Sequence, residues 1–107
     1  MKPQLMTIVQ ELKKRLVRQF KDEINQVILF GSRSRDEAGT DSDYDILLVL
    51  NHDYDWRKEN TILRACYEID LQYDVLTDVK IISVNELQSI KGKQPFIINA
   101  MKEGIRA

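Results

Sequence analysis

A small mixed α+β sandwich, with helices flanking a small mixed sheet, is the fold class this sequence predicts. Three observations carry it. Apolar residues recur at helical spacing over the first twenty positions, and a second helical period occupies the middle of the chain. Short β-branched-rich runs stand at Val27, Ile46 and Val79. Finally, 107 residues suffice for one modest core and not for two, so residues 1–107 are expected to form a single domain.

The elements follow in order. Leu5, Ile8, Val9, Leu12, Leu16 and Phe20 line one side of a first helix, with Pro3 at or just before its start and an end near Lys21 and Asp22. Lys13, Lys14 and Arg18 lie on other faces, and Glu11 dilutes any basic membrane-binding surface. Val27 to Phe30 reads as a strand that stops at Gly31-Ser32. The stretch from Arg33 to Ser42 is polar, with Gly39 as punctuation, and Ile46 to Leu50 is the second strand. Asp53 or Asp55 caps a helix from Trp56 to Leu71, whose core stripe is Ile62, Leu63, Cys66 and Ile69.

Tyr73 to Val84 reads as a third strand, firmest over Val79 to Val84. Ser83 and Glu86 have capping-box spacing, Asn85 being a competing cap. Lys91 to Pro95 forms a turn, after which Phe96, Ile97, Ala100 and Met101 give a last helix its inward side and Gly104 stops it. The long helix between strands two and three permits either a parallel or an antiparallel pairing.

Composition narrows the function classes. The chain is 43% hydrophobic and 31% charged, as an ordinary globular protein is. A net charge of −1, with basic residues scattered among acids, supplies no long-range pull on nucleic acid or anionic lipid. One cysteine, Cys66, precludes an internal disulfide and suits a reducing compartment, and its apolar helical setting marks a core thiol. No apolar run reaches the ~18 residues that span a bilayer, and the N-terminus lacks a signal-peptide core, so a cytoplasmic protein is expected. With one Cys and one His, neither a zinc-spaced set nor a Cys-His or Ser-His-Asp constellation can be assembled. His52 reads as a solvated loop residue.

The chemistry concentrates between Val27 and Leu50. Gly31 lets backbone amides approach a ligand closely, and Ser32 adds a hydroxyl donor. Amides converging there make an anion site, stronger if a short helix begins at Ser34. Arg35 can take phosphate charge by bidentate contact, with Arg33 turned to solvent. Ser42 orients the following loop. Asp43 and Asp45 flank Tyr44, and in an extended strand residues two apart face the same way, roughly 6.5–7 Å apart. Two carboxylates so placed can share a hard divalent cation, or a pair of cations. The bland alternative is that both acids are turn residues. Tyr44, Tyr54 and Trp56 could stack on a base, although helix-packing aromatics are commoner.

Gly31-Ser32-x-x-Arg35 followed by Ser42-Asp43-x-Asp45 resembles the signature of the minimal nucleotidyltransferase group of the polymerase-β-like superfamily. The paired motif covers about fifteen residues, and the flanking elements fit the same plan. One position departs: relatives usually carry glycine after the arginine, and this chain has Asp36. The resemblance implies a polymerase-β-like nucleotidyltransferase core, with ATP as substrate and Mg2+, two ions, as cofactor. It implies a third metal-binding carboxylate on an adjacent strand, Asp78 or its competitor Asp74, to join Asp43 and Asp45 as catalytic residues. It also implies an antitoxin that transfers AMP to a tyrosine of a HEPN-type RNase toxin, with homodimerisation open. The other readings are an antitoxin that blocks its toxin by binding alone, and a small-molecule nucleotidyltransferase of the aminoglycoside-modifying kind.

Overall fold

A computed structural model describes residues 5–30 and 44–107. Helix α1 (Leu5–Phe20) passes through a single 3-10 turn (Lys21–Glu23) into β1 (Ile24–Phe30). Then come β2 (Tyr44–Leu50), α2 (Trp56–Tyr73), β3 (Thr77–Ser83) and a one-turn α3 (Val84–Leu87). A second 3-10 turn (Ile90–Lys93) leads to α4 (Pro95–Glu103) and β4 (Ile105–Arg106).

The four strands form one sheet in the order β3-β2-β1-β4. β1 runs antiparallel to β2, with Val27 opposite Leu48 and Phe30 opposite Asp45. β2 and β3 are parallel, which settles the pairing the sequence left open: an 18-residue α2 carries the chain back along the sheet. The expected mixed sheet flanked by helices is the observed architecture.

Strand alternation sorts the core into two faces. Val27, Leu29, Ile46, Leu48 and Leu50 pack against Ile8, Val9, Leu12 and Leu16 of α1 and Ile62, Ala65, Cys66 and Ile69 of α2. Ile28, Leu47, Val49 and Ile82 point the other way, onto Ile97 and Ala100 of α4. In α2, Ala65 takes the buried place expected of Leu63, which is half-buried. Asp55 is the N-cap of α2, its carboxylate accepting the Lys58 amide at 2.9 Å. Asp53 instead accepts the Ser83 hydroxyl at 3.0 Å.

The third strand is shorter than its sequence suggested. Tyr73 is still helical, and Asp74 caps α2 in the left-handed region (φ 53°) with its amide on the Asp70 carbonyl. Short-range β propensity over Tyr73–Leu76 yields here to helix continuation, with Tyr73 and Val75 packed against the core. Val84 opens α3, because Ser83 closes the strand with a full capping box: Ser83 Oγ accepts the Glu86 amide and Glu86 Oε1 accepts the Ser83 amide, both at 3.1 Å.

β4 was not foreseen. Two residues carry no readable alternation, yet Ile105 and Arg106 pair with Leu29 and Ile28, and the Ala107 amide donates to the Val27 carbonyl at 3.0 Å. Gly104 permits this return: a Cβ there would lie 2.3 Å from Ile28 Cγ2 and 2.4 Å from the Ala100 carbonyl oxygen. Only glycine lets α4 end this close to the sheet.

Candidate active site

β2 begins at Tyr44, so Asp45 belongs to the strand rather than to the loop before it. Its Cα partners are Phe30 on β1 and Asp78 on β3. Alternation puts all three on the α4 side of the sheet, since Leu47 and Ile82 on the same strands face α4. Neighbouring strands stand about 4.7–4.9 Å apart, which sets Asp45 and Asp78 side by side. A row Phe30-Asp45-Asp78 thus crosses one end of the sheet. The Tyr44 amide, donating to the Leu76 carbonyl at 2.8 Å, ties the start of β2 to the segment entering β3.

α4 packs on this face and meets the row at its β1 end, where Phe96 stacks on Phe30 with centroids 6.3 Å apart. Asp45 is half-buried. The Asp78 side chain is 45% exposed, and Lys80 Nζ lies 3.4 Å from its Oδ1. Lys80 is also on the α4 side, two residues along the strand.

The two candidates for the third carboxylate part company here. Asp78 stands in register with Asp45, whereas Asp74 is the helix cap of α2. Gly31, Ser32, Arg35, Ser42 and Asp43 lie outside the described residues, as do Ser34 and Asp36. Among the described residues no group of three His, Cys, Asp or Glu could hold a metal ion. The described contribution is a pair, Asp45 and Asp78, whose carboxylate oxygens on one face suit a hard divalent cation such as Mg2+.

Aromatic residues weighed for base stacking have other tasks. Tyr44 is buried in the α1-α2 core. Tyr54 donates its hydroxyl to the Ile81 carbonyl at 2.8 Å, and burial, reinforced by the nearby Glu86 carboxylate, pushes its pKa up to about 12. Trp56 is exposed, with the Arg57 guanidinium 5.3 Å from its ring centroid. Burial tends to raise the Glu86 carboxyl, but hydrogen bonds from Lys91 and the Ser83 amide bring it below the ordinary carboxylate value. Burial likewise pushes the Cys66 thiol up to about 12, as suits a core thiol. His52 is exposed, as expected of a loop residue. Lys80, Phe30 and Phe96 were not singled out from sequence; strand alternation from Asp78 pointed to Lys80, while nothing local linked Phe30 to Phe96.

Comparison with known proteins identifies the family. The family described as Nucleotidyltransferase domain matches residues 9–107. Two proteins of Methanocaldococcus jannaschii are similar in sequence. "Putative protein adenylyltransferase MJ0141" is 30% identical over 73 residues, covering 68% of this chain and 74% of that protein. "Putative protein adenylyltransferase MJ0604" is 30% identical over 96 residues, covering 90% of each. Among solved structures, two mutant forms of the toxin-antitoxin MntA-HpeT superpose with TM-scores of 0.58 and 0.56 at 15% and 16% identity. They cover 91% and 92% of this chain and 69% and 70% of theirs, a likeness of fold. With a family match over nearly its whole length and two relatives at this identity, the chain belongs to the nucleotidyltransferase domain family and is an enzyme of that class.

Proposed function

We propose that this protein, acting as one domain in the cytoplasm, transfers AMP from ATP to a tyrosine hydroxyl of a partner HEPN-type RNase toxin and is thereby its antitoxin. The observation that carries the reading is the in-register pair Asp45 and Asp78 on the α4 side of the sheet, with the Asp78 side chain 45% exposed. The relatives' description as protein adenylyltransferases supports a protein acceptor, and the fold shared with MntA-HpeT supports a toxin as that acceptor.

In this reading Asp43, Asp45 and Asp78 would hold Mg2+, two ions, whose charge would neutralise the triphosphate and lower the pKa of the attacking hydroxyl. The Gly31 backbone and the Ser32 hydroxyl grip the β- or γ-phosphate, Arg35 takes up phosphate charge, and Ser42 steadies the loop that presents Asp43. The acceptor oxygen bonds to the α-phosphorus as the bond to the pyrophosphate oxygen breaks. Pyrophosphate leaves, and the hydroxyl proton passes to water at the exposed Asp78 edge. The sheet's part is positional: two rigid strands keep the acids abreast before substrate arrives.

The test is incubation with a HEPN toxin, Mg2+ and ATP labelled at either the α- or the γ-phosphate. Label should reach the toxin from α-labelled ATP only, and Asp45→Asn or Asp78→Asn should cut transfer at least a hundredfold, the scale on which transition-state charge stabilisation acts. Transfer that withstands both changes defeats the reading. A non-catalytic antitoxin is the second reading, favoured by Asp36 where relatives usually carry glycine. Toxin inhibition undiminished in both variants, without label on the toxin, would establish it instead.

A further inference from the structure

On the β3 edge, lined in part by Lys80, lies a cavity of about 350 Å³ between β3 and the segment leading into α4. Lys80, Lys91, Gln94 and Phe96 are among its walls. The two lysines in it are held differently. Lys91 Nζ sits 2.7 Å from Glu86 Oε2, away from the acid row. Lys80 Nζ is 3.4 Å from Asp78 Oδ1, on the very carboxylate that stands abreast of Asp45.

We propose that Lys80 is the exchangeable counter-charge of the site. It holds the Asp78 carboxylate while no cation is present, competes with the cation for that carboxylate, and is displaced toward the cavity when the cation binds.

Three observations converge on this. Lys80 and Asp78 share a strand face two positions apart, so the pair forms from side chains already aimed the same way. Both side chains are about half exposed, at 51% and 45%, which makes the pair weak and solvent-screened, hence easily given up. The cavity, which Lys80 itself lines together with Glu59 and Glu86, offers the displaced ammonium a polar place at the β3 edge, so its release strands no buried charge. Like charges on neighbouring strands repel, and an ammonium on Asp78 offsets that repulsion at small cost to metal binding. Lys80 is therefore a positioning residue that acts through Asp78.

This inference rests on the metal-site reading of Asp45 and Asp78, and the test separates the two. Mn2+ alone, without nucleotide, is titrated into the full chain and bound metal is followed by electron paramagnetic resonance. Circular dichroism verifies that each variant is folded. Lys80→Met should bind Mn2+ about two- to fivefold more tightly than the parent, the span expected of an exposed ion pair. The gain should fade in high salt, because surface charge interactions are screened. Lys80→Arg should restore parental affinity, and Lys91→Met, which alters the other lysine of the cavity, should leave it unchanged. Unchanged or weaker Mn2+ binding in Lys80→Met overturns the inference, provided Asp45→Asn and Asp78→Asn still abolish binding. If those two changes also leave Mn2+ binding intact, the metal site itself is wrong and both readings fall together.

Discussion

The two faces of the sheet are built from the same strands and do opposite work. On one, Leu48 and its neighbours are sealed under the 16-residue α1 and the 18-residue α2. On the other, the nine-residue α4 packs with Ile28, Leu47, Val49 and Ile82, and Asp45 and Asp78 share that face, the Asp78 side chain 45% exposed. Half-exposed sheet can hold a carboxylate such as Asp78, which a closed core could not accept without pairing. In the proposed reading, stability and chemistry are divided between faces rather than between segments of chain.

That division can be broken in measurable ways. The largest effect should come from Leu48→Ala, which empties the sealed face and should cost about 2–5 kcal/mol in urea denaturation. Ile97→Ala on the thinner face should fall near the bottom of that span, because fewer buried neighbours surround the gap and they can collapse into it. Equal losses at the two positions would deny the asymmetry. Next in size is Gly104→Ala. Its Cβ would meet Ile28 and the end of α4, so a loss of about 1–3 kcal/mol is expected, with weaker hydrogen-exchange protection at Ala107, whose amide pairs with β1.

Smallest is Tyr54→Phe, which removes the hydroxyl from the Ile81 carbonyl and should cost about 0.5–1.5 kcal/mol near neutral pH. The sign of its pH dependence follows from the raised pKa. The fold favours the protonated phenol, so this stabilisation is complete below the ordinary tyrosine value of 10 and is lost as pH climbs toward about 12. The stability gap between parent and Tyr54→Phe should therefore narrow across pH 10–12. Taking the difference cancels the parallel contribution of Cys66, which is present in both proteins. A constant gap across that window would show that the hydroxyl bond does not depend on the phenol's proton.

Most of the scaffold was legible because its elements are periodic. The α1 stripe, the Asp55 cap, the Ser83-Glu86 capping box, Pro95 opening α4 and Gly104 ending it were all visible as local patterns, and each has its place in the structure. The errors fell where local preference met tertiary packing. Tyr73–Leu76 carries strand-like residues but is spent on finishing α2 and turning the chain. β4 exists only because β1 offers it an edge. At the site, sequence narrowed the third carboxylate to Asp74 or Asp78 without ranking them by geometry, and it left Lys80 unremarked.

Sequence by itself determined the periods, the caps and the residue types that could bind phosphate and metal, because these depend on neighbours within a few positions. Only the tertiary structure decided that β2 and β3 run parallel, and that Asp78 rather than Asp74 stands abreast of Asp45. The physical reason is that strand register is a long-range pairing. It is set by how α2 and the two faces pack together, and no window of consecutive residues contains that information.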